Sequence, residues 1–432
     1  MIATAYAALW IFIFALPWEN VFVIPGLGTI SKLMGIVALG FAALAALFTG
    51  RIRHLNKFHV AALVFLIVAG ISVFRSVYSD TAVIKFKTYL QLFAVLWIIW
   101  ELAPDIRRQR GLLTAYVFGS YIGALLTIVV RPSVAHTTTR FAAEGFDPND
   151  LGMTLALAIP MAWYLGMTYR QPLLRWACRG YLLIGIVAIG LTGSRGAMVA
   201  TMFALLIVPV TMTRLSATKK MAAIILMLAI GGVAVAFIPE SSFQRFSSTK
   251  EEVEAGTLNG RLQIWTAGVH AFVQRPLLGW GAGSFDRTII PWFGKPRAPH
   301  NSYLCILVEQ GVVGFMVWIT MYLMVFTQVL KLPGLERRFA LVLLGTMAVA
   351  MLPLGWDDRK PVWFIAGVLV AFCVAIRKQQ FGPTVIAEAR PLPVIPESPA
   401  ARAARRPVSI LARSMPPSRL PRGPRGPSGN DA

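Results

Sequence analysis

The sequence predicts an all-α, polytopic transmembrane helical bundle, and three observations carry that prediction. The first is composition. Of the 432 residues 56% are hydrophobic and 14% charged, with a mean hydropathy of +0.66, whereas soluble domains carry about 25% charged residues. The second is the recurrence of long apolar runs. A helix needs about 20 apolar residues to cross the hydrocarbon, where every backbone amide must be bonded internally, so repeated runs of that length mean helices. The strand alternation of a membrane β-barrel is absent. The third is that Lys and Arg cluster in alternate short loops, as topology signals do.

The apolar runs are 2–18, 29–49, 58–75, 83–102, 111–130, 151–168, 180–192, 196–213, 221–238, 302–330, 339–354 and 361–377, which gives about twelve spanning helices. Met1 to Pro17 lacks the basic n-region of a cleaved leader, and a second run follows closely, so it reads as the first span. Between the seventh and eighth runs stands Thr192-Gly193-Ser194-Arg195-Gly196. Two glycines flanking a charge predict a reversal there, not one continuous helix.

Basic clusters at Arg51, Arg53 and Lys57, at Arg107, Arg108 and Arg110, at Arg170, Arg175 and Arg179, at Arg214, Lys219 and Lys220, and at Lys331, Arg337 and Arg338 share one side. By the positive-inside rule that side is cytoplasmic, so both termini are expected inside and the polar interval 239–301 outside. Residues 1–377 then form the membrane domain. From 378 to 432 the chain turns to Pro, Arg, Ala and Ser, a composition that cannot bury enough apolar area to offset its ordering entropy. A disordered basic tail at the headgroups is expected.

The net charge of +22 sits largely in those loops and that tail and points to membrane lipids. No nucleic-acid recognition module is visible. Cys178, Cys305 and Cys373 lie in or beside apolar runs without metal-ligand spacing. No internal repeat of the transporter kind stands out.

Chemistry is expected in the polar interval. Gly260 to Gln274 reads as a short helix, with Arg261, Trp265, Gly268 and Phe272 near one face, that stops at Arg275-Pro276. It is too short and polar to span and is expected along the membrane surface. Gly279-Trp280-Gly281-Ala282-Gly283-Ser284-Phe285 lacks P-loop spacing and reads as a packed turn more readily than as a phosphate cradle.

His300 stands where the chain re-enters the membrane, after Lys295 and Arg297. A lone histidine is more often structural than catalytic, yet an imidazole there can take a proton at neutral pH. Arg195 marks a helix end, which alone would explain it. On the same outer face as Arg261 and His300, its guanidinium suits the oxygens of a dianionic head group.

Thr192 to Ala197, Gly260-Arg261-Leu262-Gln263-Ile264-Trp265, Pro276 to Gly281, and His300-Asn301-Ser302-Tyr303 with Glu309-Gln310-Gly311 together resemble the O-antigen ligase and O-antigen polymerase superfamily. Asp147 to Gly152 and Asp357-Asp358 with Trp363 look like further parts of its pattern, so the resemblance covers roughly 130 to 375 in the family's order. It implies a GT-C type membrane glycosyltransferase that moves a glycan from undecaprenyl diphosphate to an acceptor hydroxyl at the periplasmic face of the bacterial inner membrane. The acceptor is lipid A-core for the ligases and another carrier-linked repeat for the polymerases.

By position, Arg195 and Arg261 match the arginines that bind the donor diphosphate, and His300 the histidine proposed as base. Asn301, Trp265 and Arg297 are expected to support them. The resemblance implies neither a metal nor a cofactor. The interval 239–301 is short beside that of ligases, which keeps a polymerase in view. A solute transporter would instead need ionisable residues within its spans, for which Lys85 and Lys87 are the evident candidates. A non-catalytic scaffold of an export complex would lack a cavity at Arg195, Arg261 and His300.

Overall fold

Apolar runs become helices because a buried backbone can satisfy its own amides only that way in lipid. The computed structural model describes residues 1–50, 52–129, 141–212 and 260–381, with isolated positions 216, 218, 221, 225 and 232. All but the last of these residues fall in the unit Met1–Gln380. Within them the helices are α1 (Ile2–Ala15), α2 (Ile30–Thr49), α3 (Lys57–Arg75), α4 (Ser79–Leu102), α5 (Ile106–Val129), α6 (Pro148–Thr168), α7 (Pro172–Leu191), α8 (Arg195–Leu205) and α9 (Ile207–Thr211). Then follow α10 (Arg261–Gln274), α11 (Phe285–Thr288), α12 (Ile290–Phe293), α13 (Ser302–Leu330), α14 (Gly334–Ala350) and α15 (Lys360–Phe381). A small antiparallel hairpin, β1 (Val23–Ile24) with β2 (Gly28–Thr29), joins α1 to α2.

Eight of these helices are long and apolar enough to cross a membrane, and Ile2–Trp18 and Arg195–Thr211 are shorter apolar helices. The expected span 221–238 apart from positions 221, 225 and 232, the cluster Arg214, Lys219 and Lys220, and the tail beyond 381 lie outside the described residues. The reversal at 192–194 is present, since α7 ends at Leu191 and α8 begins at Arg195.

Several helices start earlier than their apolar runs. α6 begins at Pro148 because the Asp147 carboxylate accepts from the backbone N–H groups of Asn149 and Asp150, which caps the helix. α7 begins at Pro172 rather than 180, with the proline at its first position, where a missing N–H costs nothing. Hydropathy marks the part of a helix that needs hydrocarbon, while the helix itself continues to its cap.

Helices in lipid gain little from hydrophobicity towards one another, so close backbone approach carries the packing. A Cβ on Gly119 would lie 2.0 Å from the Phe14 carbonyl oxygen, and one on Gly152 would lie 2.7 Å from the Ala197 Cβ. These glycines seat α5 on the end of α1 and α6 on α8. The spanning windows of α6 and α15 are each 83% buried, which makes this pair the centre of the bundle.

At one end of the bundle, arginines meet carbonyls and rings. Arg53 donates to the Trp100 carbonyl (2.7 Å) and lies 3.5 Å from the centroid of that ring. Arg110 donates to the Tyr164 hydroxyl (3.2 Å), and Arg377 to the Gln328 carbonyl (3.1 Å). The opposite end gathers the turns before α2, α4, α6, α8, α13 and α15, and the candidate site lies there.

Candidate functional site

α10 is the short helix expected from the sequence, opening at Gly260 in the left-handed region (φ 74°). It buries Ile264, Ala267 and Ala271 in a satellite core with Phe285, Ile289, Cys305 and Val308, and Trp265 and Phe272 pack against that core. The aromatic side therefore faces protein. The other flank exposes Leu262, Val269 and Val273, an apolar face that suits a helix lying along a membrane surface.

Beyond Pro276 the chain docks into a break in α13, where Gly311 has φ 65° and ψ −169°. The carbonyls of Val308 and Glu309 accept from the N–H groups of Trp280 (3.0 Å) and Gly281 (2.7 Å). In return Val312 N–H donates to Pro276 O (2.8 Å) and Val313 N–H to Leu277 O (3.1 Å). The two backbones are so close that a Cβ on Gly279 would lie 2.5 Å from the Glu309 carbonyl, and one on Gly311 would lie 2.4 Å from the Leu277 carbonyl. The glycine-rich stretch is thus a packed turn, with the amides of Trp280 and Gly281 taken up by helix carbonyls.

Arg195 opens α8 behind its cap Ser194, whose hydroxyl accepts from Ala197 N–H (3.3 Å) and donates to Asn149 Oδ1 (2.9 Å). That ties the start of α8 to the start of α6. Arg261 opens α10. His300 precedes Asn301, which caps α13 by accepting from Leu304 N–H (3.0 Å). Trp265 Nε1 donates to Pro299 O (3.1 Å), so α10 holds the residue just before the histidine. Among the described residues His300 is the one non-glycine with positive φ, at 44°. Such a backbone is costly and persists where its surroundings over-determine it. Those surroundings include Ser302, which donates to Leu354 O (2.7 Å) and accepts from Trp356 N–H (2.7 Å), and Trp356, whose Nε1 donates to Asp150 Oδ1 (2.9 Å).

The electrostatics join the three candidates. Burial, then the neighbouring Arg195 charge, holds Arg261 below the usual arginine value, and Asp147 opposes both. Burial, then Arg261, holds the His300 imidazole below its usual value of 6.5, with Asp147 and Asp150 pulling the other way and exposed Arg297 adding a little. Arg195 thus acts on Arg261, and Arg261 on His300, at a half-buried place bordered by two aspartates; no direct effect of Arg195 on His300 stands beside these.

His300, Asp147 and Asp150 line a cavity of about 390 Å³. Its inner wall carries a cluster that sequence reasoning missed. Lys85 Nζ lies 2.7 Å from Glu309 Oε2 and 2.9 Å from Asp357 Oδ2, and the Tyr89 hydroxyl donates to the same aspartate oxygen (2.7 Å). Lys85 is thus not a lone charge within its span but is paired with two carboxylates. The signal was present as ionisable residues inside apolar runs, at Lys85 and Glu309. Cys305, Glu309 and Asp357 present ligand atoms within 4.8 Å of one another, a set that can hold a metal. The Lys85 ammonium stands among them.

A second cavity, of about 540 Å³, shares Asp150, Asp358 and Arg359 with the first. It runs between α1, α2 and α4 along Phe12, Leu39 and Val95.

These features define an all-α, multi-pass membrane protein with cationic residues and a cavity gathered at one end of its bundle. Residues 180–319 match a family model described as O-antigen ligase, and that stretch contains Arg195, Arg261 and His300. An O-antigen ligase of Pseudomonas aeruginosa is 28% identical over 219 residues, 48% of this chain and 48% of that protein. The chain thus spans about half the length of the curated relative it matches. Both comparisons support the O-antigen ligase and polymerase superfamily for this chain.

Proposed function

We propose that the protein is an O-antigen ligase-like glycosyltransferase, moving a glycan from undecaprenyl diphosphate to a hydroxyl of lipid A-core at the periplasmic face of the bacterial inner membrane. The observation that carries this reading is that Arg195 acts on Arg261 and Arg261 on His300, which lines a cavity with Asp147 and Asp150. A diphosphate is already a good leaving group. What the transition state lacks is compensation of the charge growing on the departing oxygen, together with a base for the attacking hydroxyl. Fixed guanidinium groups supply the first. A half-buried imidazole kept neutral at pH 7 supplies the second. The adjoining apolar cavity suits an aliphatic carrier chain whose head reaches His300 past Asp150 and Arg359. The basic loops at the other end of the bundle favour a cytoplasmic position for that end.

A polymerase using a second carrier-linked repeat as acceptor is the alternative, favoured by the shortness of the interval 239–301. Purified protein in proteoliposomes, given a carrier-linked glycan and lipid A-core, is expected to form the conjugate. Arg195→Ala, Arg261→Ala and His300→Ala should each abolish it while remaining folded, and retained product in all three would end the assignment. Loss of the gene separates the two readings: accumulating carrier-linked polymer favours the ligase, single-repeat products the polymerase.

A further inference from the structure

The cluster behind His300 has a structure that a simple buried ion pair would not need. Lys85 comes from α4, Glu309 from the first turns of α13 and Asp357 from the turn before α15, and their side chains are 11%, 3% and 1% exposed. Each partner is also fixed from a second direction. Glu309 Oε1 accepts from Phe285 N–H (3.5 Å), and the Glu309 carbonyl accepts from Gly281 N–H (2.7 Å). The Asp357 carbonyl accepts from Trp363 Nε1 (2.7 Å). Thus α4, the docked glycine turn, the helix that follows His300 and the 354–359 turn meet at one ammonium. Lys85, Glu309, Asp357 and His300 all line the same cavity.

An ammonium has three N–H donors. Lys85 faces three acceptors, Glu309 Oε2, Asp357 Oδ2 and Cys305 Sγ, the last at 3.5 Å. The ammonium is thus engaged by its own wall, by two hydrogen bonds and an ion pair. Its single charge stands against two carboxylates, with Asp358 next in sequence, so without it like charges would face one another in a buried wall.

We infer that Lys85 is a positioning residue for the outer-end site, a built-in cation that holds Glu309 and Asp357 together and so fixes the His300 helix against the 354–359 turn. This rests on the transfer reading above for its catalytic consequence. Its structural consequence stands apart from that reading.

The test compares Lys85→Met with Lys85→Met/Glu309→Gln in the full-length protein, with Cys178→Ser and Cys373→Ser so that Cys305 is the one thiol. Transfer kinetics and labelling of Cys305 by a small methanethiosulfonate are measured in parallel. Lys85→Met is expected to lower kcat about tenfold or more, with the KM for the carrier-linked donor within about threefold of the parent, and to make Cys305 reactive. Adding Glu309→Gln removes one of the opposed charges and is expected to recover at least about a third of the lost turnover and to protect Cys305 again. Parental kcat in Lys85→Met, a loss confined to KM, or a kcat loss that Glu309→Gln leaves untouched would each overturn the inference. If Lys85→Met fails to accumulate, Glu309→Gln alone decides. It cuts the ion pair that ties Lys85 to the His300 helix, so kcat is expected to fall with the KM for the donor within about threefold of the parent, and parental kcat in folded protein overturns the inference. Should the parent protein show no transfer at all, the functional reading fails while the labelling arm still tests the cluster.

Discussion

The two ends of the bundle use charge in opposite ways. At one end Arg53, Arg110 and Arg377 each end on a carbonyl, a phenol or an aromatic ring, contacts that anchor helix ends and leave no cavity lined by them among those described. At the other, Lys85, Glu309, Asp357, Asp150 and Trp356 bond side chain to side chain across elements far apart in sequence, and a cavity remains between them. Arginine at a membrane interface is therefore not in itself a sign of chemistry. What distinguishes the second end is convergence, in that several segments aim polar groups at one space.

That contrast breaks most sharply at His300. Replacing it with Gln should lower transfer by about 10² to 10⁴, the span expected for a lost general base, with the variant still inserted and folded. A fall of less than about threefold would make the two ends equivalent and remove the histidine from the chemistry. The imidazole must be neutral to accept a proton, and burial holds it below 6.5. The parent's rate should therefore stay level as pH falls to that value and decline only on its acid side. A decline centred above 6.5 would contradict the burial of this group.

Gly311→Ala sharpens the comparison next. Its left-handed φ and the 2.4 Å gap to Leu277 leave no room for a side chain. Backbone strain alone is of order 1–3 kcal/mol, and thermal unfolding together with lost transfer should report the undocking of the glycine turn. Arg53→Ala is the smallest expected effect. It removes a carbonyl bond and a cation–π contact worth about 0.5–2 kcal/mol, so melting should shift while transfer per folded molecule stays as in the parent. A large drop in turnover there would show the anchoring end coupled to the site.

Features governed by neighbours in sequence were legible before the structure. The reversal at Thr192 to Ser194 follows from its glycines, the end of α10 from Pro276, and the helical runs from hydropathy. The start of α6 was misplaced because a cap, Asp147, extends the helix past its apolar part. The hairpin of Val23–Ile24 with Gly28–Thr29 was too short to leave a pattern. Arg195, Arg261 and His300 were singled out by residue type and by resemblance, and their approach to one another rests on tertiary packing. Lys85, Glu309 and Asp357 were each visible as single residues, but their meeting could not be read, since nothing periodic links position 85 to 309 and 357. Pairing over such separations is decided by which helix ends meet.

Because the 276–281 turn and the outer part of the long helix share their amides and carbonyls, neither can shift without the other, and together they form an unyielding floor. The 354–359 turn is tied to the same floor by Ser302 and by the Lys85–Asp357 pair, so the wall around His300 moves as a single slab.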